Sequence, residues 1–493
     1  MQEVMQICPE DKVAVALCPL KKGKKIIVGK KEIELVDDIS QGHKFALCNI
    51  NQGESIVKYG QPIGKSKIVI AKGEWVHIHN VATGLNEEVS YKYEPAVNSL
   101  MKSKSTTFRG YKRPDGKVGI RNELWILPTV GCVNSVAKLI AELAKGRFGD
   151  GVDNIVAYTH PYGCSQMGED QENTRNVLVD MMQHPNAGGV LVIGLGCENS
   201  NIPVLMDYLG DYDSNRIRFL QCQDYEDEID TAMVILEELY SHVSSYKREE
   251  CDVSELIVGL KCGGSDGLSG ITANPIVGEF SDILISQGGT TILTEVPEMF
   301  GAEALLMNRC KNEEVFIKMV KMINDFKNYF IKHDQTIYEN PSPGNKKGGI
   351  TTLEDKSLGC TQKAGTAPVN DVVDYGQRVK EKGLNLLNAP GNDLVAATAL
   401  AVSGAHMVLF TTGRGTPFAT LVPTMKISSN TQLSEYKSNW IDFNAGQLLE
   451  GSTMHKMGKA LFEYVVSVAS GECVKSEAAG FQEIAIFKQG VTL

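Results

Sequence analysis

The sequence predicts a multidomain α/β chain, with a small all-β module in front of two α/β domains whose sheets are largely parallel. Three observations carry this. Up to about residue 95, short apolar β runs alternate with glycine turns. From about residue 108, strand-sized apolar runs alternate with helical patterns, the mark of βαβ units. The length, 493 residues, suits roughly three domains at about 150 residues each.

In the first region, β runs fall at 13–17, 26–28, 32–35, 45–47, 55–57, 68–70 and 75–79, separated by Gly23, Gly29, Gly42, Gly53, Gly60, Gly64 and Gly73. Alternation along the last run predicts His77 and His79 on one strand face. An aperiodic segment starts near Glu87, and residues 96–107 read as a linker. Beyond it, 124–127 precedes a helix from near Asn134, 154–158 one from near Glu169, and 190–193 one from near Asn201. The run 256–260 precedes a helix beyond Gly270, and 385–387 and 407–410 are further strands. A break near Cys251 follows the charged run Lys247-Arg248-Glu249-Glu250. The predicted parts are therefore 1–95, 96–107, 108–250 and 251–493.

Lys and Arg number 49 against 60 Asp and Glu, a net charge of −11, which disfavours a nucleic-acid partner. The start Met1-Gln2-Glu3-Val4 carries no basic, apolar leader, and no apolar run approaches the roughly 18 residues of a membrane span. The expectation is a cytoplasmic protein without a membrane partner.

The 12 cysteines contain no C-x-x-C and no regular disulfide spacing, which argues against a zinc ribbon and for a reducing compartment. Their positions say more. Gly131-Cys132, Gly163-Cys164 and Gly196-Cys197 each follow a predicted strand and precede a predicted helix, 32 and 33 residues apart. Cys262-Gly263-Gly264 repeats the placement, and Cys360 is a weaker fifth. Ligands bind at the carboxyl ends of parallel strands, so three or four thiols are expected to converge on one rim. Thiolates there suit ferrous iron, zinc or an iron–sulfur cluster, with His160, Glu198 and Asp266 as nearby harder ligands. A cysteine nucleophile with a histidine base is the alternative.

Gly/Asn/Ser/Thr turns at 262–267, 340–349 and 411–417 present backbone N–H groups to anions, with Arg414, Lys346 and Lys347 adding charge. No phosphate-loop or dinucleotide fingerprint accompanies them, so a small polar anion is favoured over a nucleotide. His43-Lys44, with His77 and His79, supplies proton-transfer chemistry on the β module.

Long motifs then carry a resemblance. Gly42-His43-Lys44-Phe45-Ala46-Leu47, the stretches 122–132 and 194–199, Cys262 through Pro275, Asn340 through Gly349 and Thr412-Gly413-Arg414-Gly415-Thr416-Pro417 resemble the altronate/galactarate dehydratase family from end to end. The likeness is greater to its altronate than to its galactarate members, chiefly at 76–80 and in the C-terminal tail; the wider family includes a sulfolactate sulfo-lyase. The resemblance implies an N-terminal SAF (β-clip) domain and two dehydratase domains. It implies loss of water from D-altronate to give 2-dehydro-3-deoxy-D-gluconate in hexuronate catabolism, with Fe²⁺, or Mn²⁺, as cofactor. Relatives can carry a third histidine where this chain has Trp75.

Removing a C2 proton beside a carboxylate, then the C3 hydroxyl, needs a base, an acid and charge stabilisation. His43, Lys44 and His160 are the expected catalytic residues. His77, His79, Asn274, Asn345, Lys346, Arg414 and Thr416 are expected to hold the substrate, and Cys164, Cys197, Glu198 and Cys262 the metal. A labile iron–sulfur cluster is the alternative cofactor. The expected partners are an anionic sugar acid and further copies of the chain, in the first place a dimer. Galactarate dehydratase or a related sulfo-lyase is the alternative activity, and a sugar-acid or redox sensor the alternative of another class.

Overall fold

A computed structural model of the chain describes residues 2–85, 91–149 and 151–493. The start of the aperiodic segment near Glu87 lies outside the described residues. In the β module an antiparallel sheet runs Val4–Met5, Val13–Ala16, Lys44–Ala46, Trp75–Val76, beside the hairpin Lys25–Val28/Lys31–Glu34 and a three-stranded sheet of Ser55–Lys58, Gln61–Ser66 and Val81–Ala82. The period-2 pattern of its central strands sorts their side chains. Ala14 and Phe45 enter the module's own core. Val13 and Ala46 face a second core, shared with Ala302 and Leu358 of the C-terminal domain. Lys44, two residues from Ala46, is therefore aimed across that junction.

Two expectations for the module are corrected. The strand predicted at 75–79 ends at Val76, because Asn80 Oδ1 accepts from the His77 N–H at 2.9 Å and folds 77–80 into a turn. The run 68–70 forms no strand; Ile70 makes only an isolated bridge to Ile50.

The first α/β domain holds four parallel strands in the order Ile155–Ala157, Glu123–Pro128, Ala187–Gly194, Ile217–Gln221. Leu124, Ile126, Leu191 and Ile193 pack under the helices Asn134–Arg147 and Glu228–Val243. Trp125, Leu127, Val190 and Val192 pack on the other face, against Val177, Leu178 and Leu205. Burial of both faces explains why these strands read as continuous apolar runs. The second face also meets Leu400, Val408 and Leu421 of the C-terminal domain, so the two α/β domains share that core.

The C-terminal domain carries seven parallel strands, in the order Val369–Val373, Gly383–Leu387, Thr290–Leu293, Ile257–Cys262, Met407–Thr412, Thr424–Ser428, Phe443–Asn444. The segment read as a linker is tied down along this domain. The Ala96 N–H donates to Asn308 O at 2.7 Å and the Ser103 N–H to Ser286 O at 3.0 Å. Thr107–Lys112 then pairs with Glu249–Asp252, joining the start of the first α/β domain to its end. The C-terminal tail crosses back, and the Leu493 N–H donates to Ser165 O at 2.9 Å.

Candidate active site

Strand order reverses in the seven-stranded sheet between Ile257–Cys262 and Met407–Thr412, the first and fifth of its strands in sequence. The connections leaving these two strands diverge, which opens a crevice at their carboxyl ends. A cleft of about 690 Å³ lies there, lined by Asp266, Leu268, Gly413, Arg414 and Asn430, with Gln41 and Gly348 on its other side. Another cleft, of about 590 Å³, carries Glu169, Glu172, Asp325 and Asp374 against Lys332, a more acidic lining than the Asp266 and Glu435 that face Arg414 in the first.

Glycine lets the β module reach this crevice. Gly42 has φ +79°, and a Cβ at Gly267 would lie 1.9 Å from Gly42 O. Such close backbone packing, open only to glycine, brings His43 against the 340s loop, where its Nε2 lies 3.1 Å from Lys347 O. The Trp75 indole donates to His43 Nδ1 at 3.2 Å, so the His43 proton is assigned to Nε2. Burial lowers the pKa of His43. The His77 ring lies 5.0 Å from that of His43 and stacks on Trp75. Burial first, then the charges of Lys44 and His43, pushes His77 down to about 3. Its Nδ1 is buried without a hydrogen-bond partner. Trp75 thus stands amid the histidines, 5.0 Å from the exposed His79 ring as well.

Below them is an ion cluster that the sequence did not reveal. The helix Leu353–Cys360, capped by Thr352, carries Asp355 into the junction. Asp355 accepts from Lys44 Nζ at 2.8 Å and from Lys58 Nζ at 3.0 Å, with side-chain exposures of 0, 0 and 3% for Asp355, Lys44 and Lys58. Burial works to raise the Asp355 pKa, but the two ammonium groups outweigh it and hold the carboxyl well below its usual range. Two cations on one carboxylate leave a surplus. Lys44 is pushed down to about 8, by burial and then by Lys58, although Asp355 pulls the other way. Lys44 also donates to Gly349 O at 2.9 Å.

A second buried group adjoins it. Cys262 Sγ lies 2.8 Å from Glu298 Oε2 and 3.4 Å from Cys360 Sγ. Lys356 pairs with Glu298 at 2.6 Å, and Lys261 with Asp393 at 2.9 Å and with Glu295. Glu295 holds a left-handed φ of +71°, at a cost of order 1 kcal/mol.

The structure brings His43, Lys44, His77, His79, Asn345, Lys346 and Arg414 to the junction of the module with the C-terminal domain. Asn345 Nδ2 donates to Ser265 O at 2.8 Å and braces the loop, while exposed Arg414 donates to Gly344 O at 3.3 Å and faces the cleft. Asn274 is buried between Gly359 O and Thr411, and Thr416 Oγ1 accepts from the Phe418 N–H within its own turn. His160 is not at this junction. It sits in the first α/β domain with Nε2 on Pro128 O and Nδ1 accepting from the Tyr162 N–H.

The expected metal set is also corrected. Cys164 and Cys197 follow strands of the four-stranded sheet, whereas Cys262 ends a strand of the seven-stranded one. Glu198 is used by its own loop, accepting from the Leu195 and Gly196 N–H groups and from Thr129. These four residues do not fit one iron. Among the described residues, Cys262, Glu298 and Cys360 alone bring three such ligand atoms within 4.8 Å of one another. Their donor types suit a borderline ion, but all three are buried, and the adjoining cavity of about 10 Å³ admits no sugar acid.

Comparison with known proteins agrees with this architecture. Residues 2–84 match the altronate/galactarate dehydratase SAF domain, and residues 110–244 the second domain of D-galactarate dehydratase/altronate hydrolase. Residues 253–492 match the D-galactarate/altronate dehydratase C-terminal domain. The chain is 52% identical to an altronate dehydratase of Bacillus subtilis (strain 168), with all of both chains covered. It is 53% identical to an altronate dehydratase of Escherichia coli (strain K12), over 98% of each chain. Identity to the galactarate dehydratase (L-threo-forming) of Escherichia coli (strain K12) is 33%, over 89% of this chain and 88% of that one. With a SAF domain docked on the second of two parallel-sheet domains, the chain belongs to the altronate/galactarate dehydratase family and is a hydro-lyase acting on a sugar acid.

Proposed function

We propose that the substrate is D-altronate, converted to 2-dehydro-3-deoxy-D-gluconate and water. The observation that carries this reading is the Arg414 cleft at the strand-order reversal, bordered through Gln41 by the module that carries two neutral histidines, in a chain that matches altronate dehydratases throughout its length. Arg414 offers a two-pronged fork to the carboxylate. His77, neutral and with an unused buried nitrogen, takes the C2 proton. The imidazolium so formed returns it to the C3 hydroxyl, which leaves as water. His43 Nε2–H, on Lys347 O, fixes the loop beside the cleft. Closure by the module keeps bulk water from the enediolate.

Ferrous iron, or manganese, belongs to the proposal as cofactor, and such an ion, when bound, would stabilise negative charge developing beside the carboxylate. The reading extends to a cytoplasmic enzyme of hexuronate catabolism that works as a homodimer. Anaerobic incubation with D-altronate, galactarate and sulfolactate, followed by 2-keto-acid assay, tests it. Altronate is expected to exceed the others in kcat/KM by about 100-fold or more, some 3 kcal/mol of discrimination. Faster galactarate turnover would assign the other family activity. Binding of altronate without turnover, metal present, would make the chain a sensor.

A further inference from the structure

The four-stranded sheet has its own reversal of strand order. Glu123–Pro128, first in sequence, lies between the second strand, Ile155–Ala157, and the third, Ala187–Gly194. Cys132, Cys164 and Cys197 stand on the three loops leaving these strands at their carboxyl ends. They are three of the four exposed cysteines of the chain, whereas Cys251, Cys262, Cys310 and Cys360 are buried.

The loops are bonded to one another. The Gly131 N–H donates to Tyr162 O at 2.9 Å, the Ser200 N–H to Gly163 O at 3.1 Å, and the Ser165 N–H to Asn199 Oδ1 at 2.8 Å. Gly163, with φ +104°, is required for this contact, since a Cβ there would lie 2.0 Å from Thr129 O. Asn134 Oδ1 and Ser200 Oγ, on two of the loops, are buried without partners.

Three thiols on mutually hydrogen-bonded loops at a strand-order reversal ask for a ligand, and the reach of a single ion narrows its class. Metal–sulfur bonds of about 2.3 Å allow a single ion to span sulfurs no more than about 4.6 Å apart. These three sulfurs are not all within 4.8 Å of one another. A cluster, which gives each thiolate its own iron, tolerates wider separation. We propose that Cys132, Cys164 and Cys197 bind a cubane iron–sulfur cluster, each thiol losing its proton. Three protein thiolates leave one iron of four without a cysteine, open to water or to an oxygen ligand such as a hydroxy acid. This iron site is separate from the sealed Cys262–Glu298–Cys360 group.

The test is reconstitution of the full chain with equal amounts of ferrous and ferric iron and with sulfide under anaerobic conditions, read by iron and acid-labile sulfide content and by visible and electron paramagnetic resonance spectra. About four iron and four sulfide per chain are expected. C132S, C164S and C197S should each lose most of the bound sulfide while keeping the wild-type circular dichroism, and C473S should keep the cluster. Brief exposure to air should remove the open iron first, giving a three-iron signal. Iron or zinc bound without sulfide, or a cluster retained in all three serine variants, would overturn the proposal. These readouts do not depend on altronate turnover, so the cluster and the substrate assignment fail separately.

Discussion

Replacing Asp355 by Asn tests the junction most directly. The substitution keeps the shape and removes the one carboxylate that, among the described residues, pairs with Lys44 and Lys58, both almost fully buried. Breaking a buried ion pair from one side costs about 3–5 kcal/mol, because the orphaned charge stays desolvated. Lys44→Met is expected to cost far less. It leaves the Lys58–Asp355 pair whole; the two hydrogen bonds it loses, to Gly349 O and to Asp355, are offset by removal of a surplus buried ammonium. The pKa of Lys44 sharpens this. A fall from the ordinary 10.5 to about 8 means that folding favours neutral Lys44, a penalty on the charged form of roughly 3 kcal/mol. The penalty is fully present below pH 8 and is relieved as pH rises towards 10.5, so wild type should gain on K44M across that window. Urea unfolding followed by tryptophan fluorescence reads both effects, with Trp75 reporting on the module. Transitions need not coincide in a chain of several domains, so the earliest is compared. A K44M protein as unstable as D355N, or a wild-type advantage over K44M that shrinks from pH 8 to 10.5, would refute the surplus-cation reasoning.

Arg414→Ala should lower kcat/KM for altronate by about 10- to 100-fold, chiefly through KM, the worth of a charged hydrogen bond lost from binding; an unchanged KM in steady-state kinetics would remove Arg414 from the carboxylate site. His77→Asn should lower kcat by about 100-fold or more if His77 moves the proton. Both His43 and His77 are shifted down, so their neutral forms persist at pH 7 and the acid limb of kcat/KM should lie below pH 6.5; a limb beginning above pH 7 contradicts this. Asp170→Ala should free the C-terminal tail, because its carboxylate accepts from the Gln489 N–H at 2.7 Å and the Gly490 N–H at 2.8 Å; limited proteolysis should then trim the tail faster than in wild type.

What the sequence made legible followed from local rules. Both faces of Glu123–Pro128 and Ala187–Gly194 are buried, which produced the apolar runs, and helix starts at Asn134, Gly168, Ile202 and Ala273 fell where the turns predicted. His43, Lys44 and Arg414 stand out in the sequence as unusual residue types beside glycine turns, and the structure places them at one junction. Which residues share a site was not legible. Cys164 and Cys262 look alike in sequence, each behind a strand, yet belong to different sheets. Asp355 and Glu298 carry no motif; their partners lie up to 311 residues away, and only tertiary packing reveals them. His160 looked like a ligand from its spacing to Cys164, but both its nitrogens hold backbone.

The position of Lys44 explains why the histidines ride on a separate module. A histidine pair kept neutral by burial needs a cover, and a cover that opens needs a docking contact strong enough to close yet reversible. Shared apolar burial alone, Val13 and Ala46 against Ala302 and Leu358, would be indifferent to alignment. The Lys44–Asp355–Lys58 cluster is directional, and a shift of the module leaves a carboxylate buried without its cations. Burial chiefly, with the Lys44 charge adding to it, holds the His77 imidazole neutral, while Asp355 pulls the other way. The same docking that seats Lys44 and Lys58 on Asp355 thus keeps His77, the base proposed above, buried and neutral.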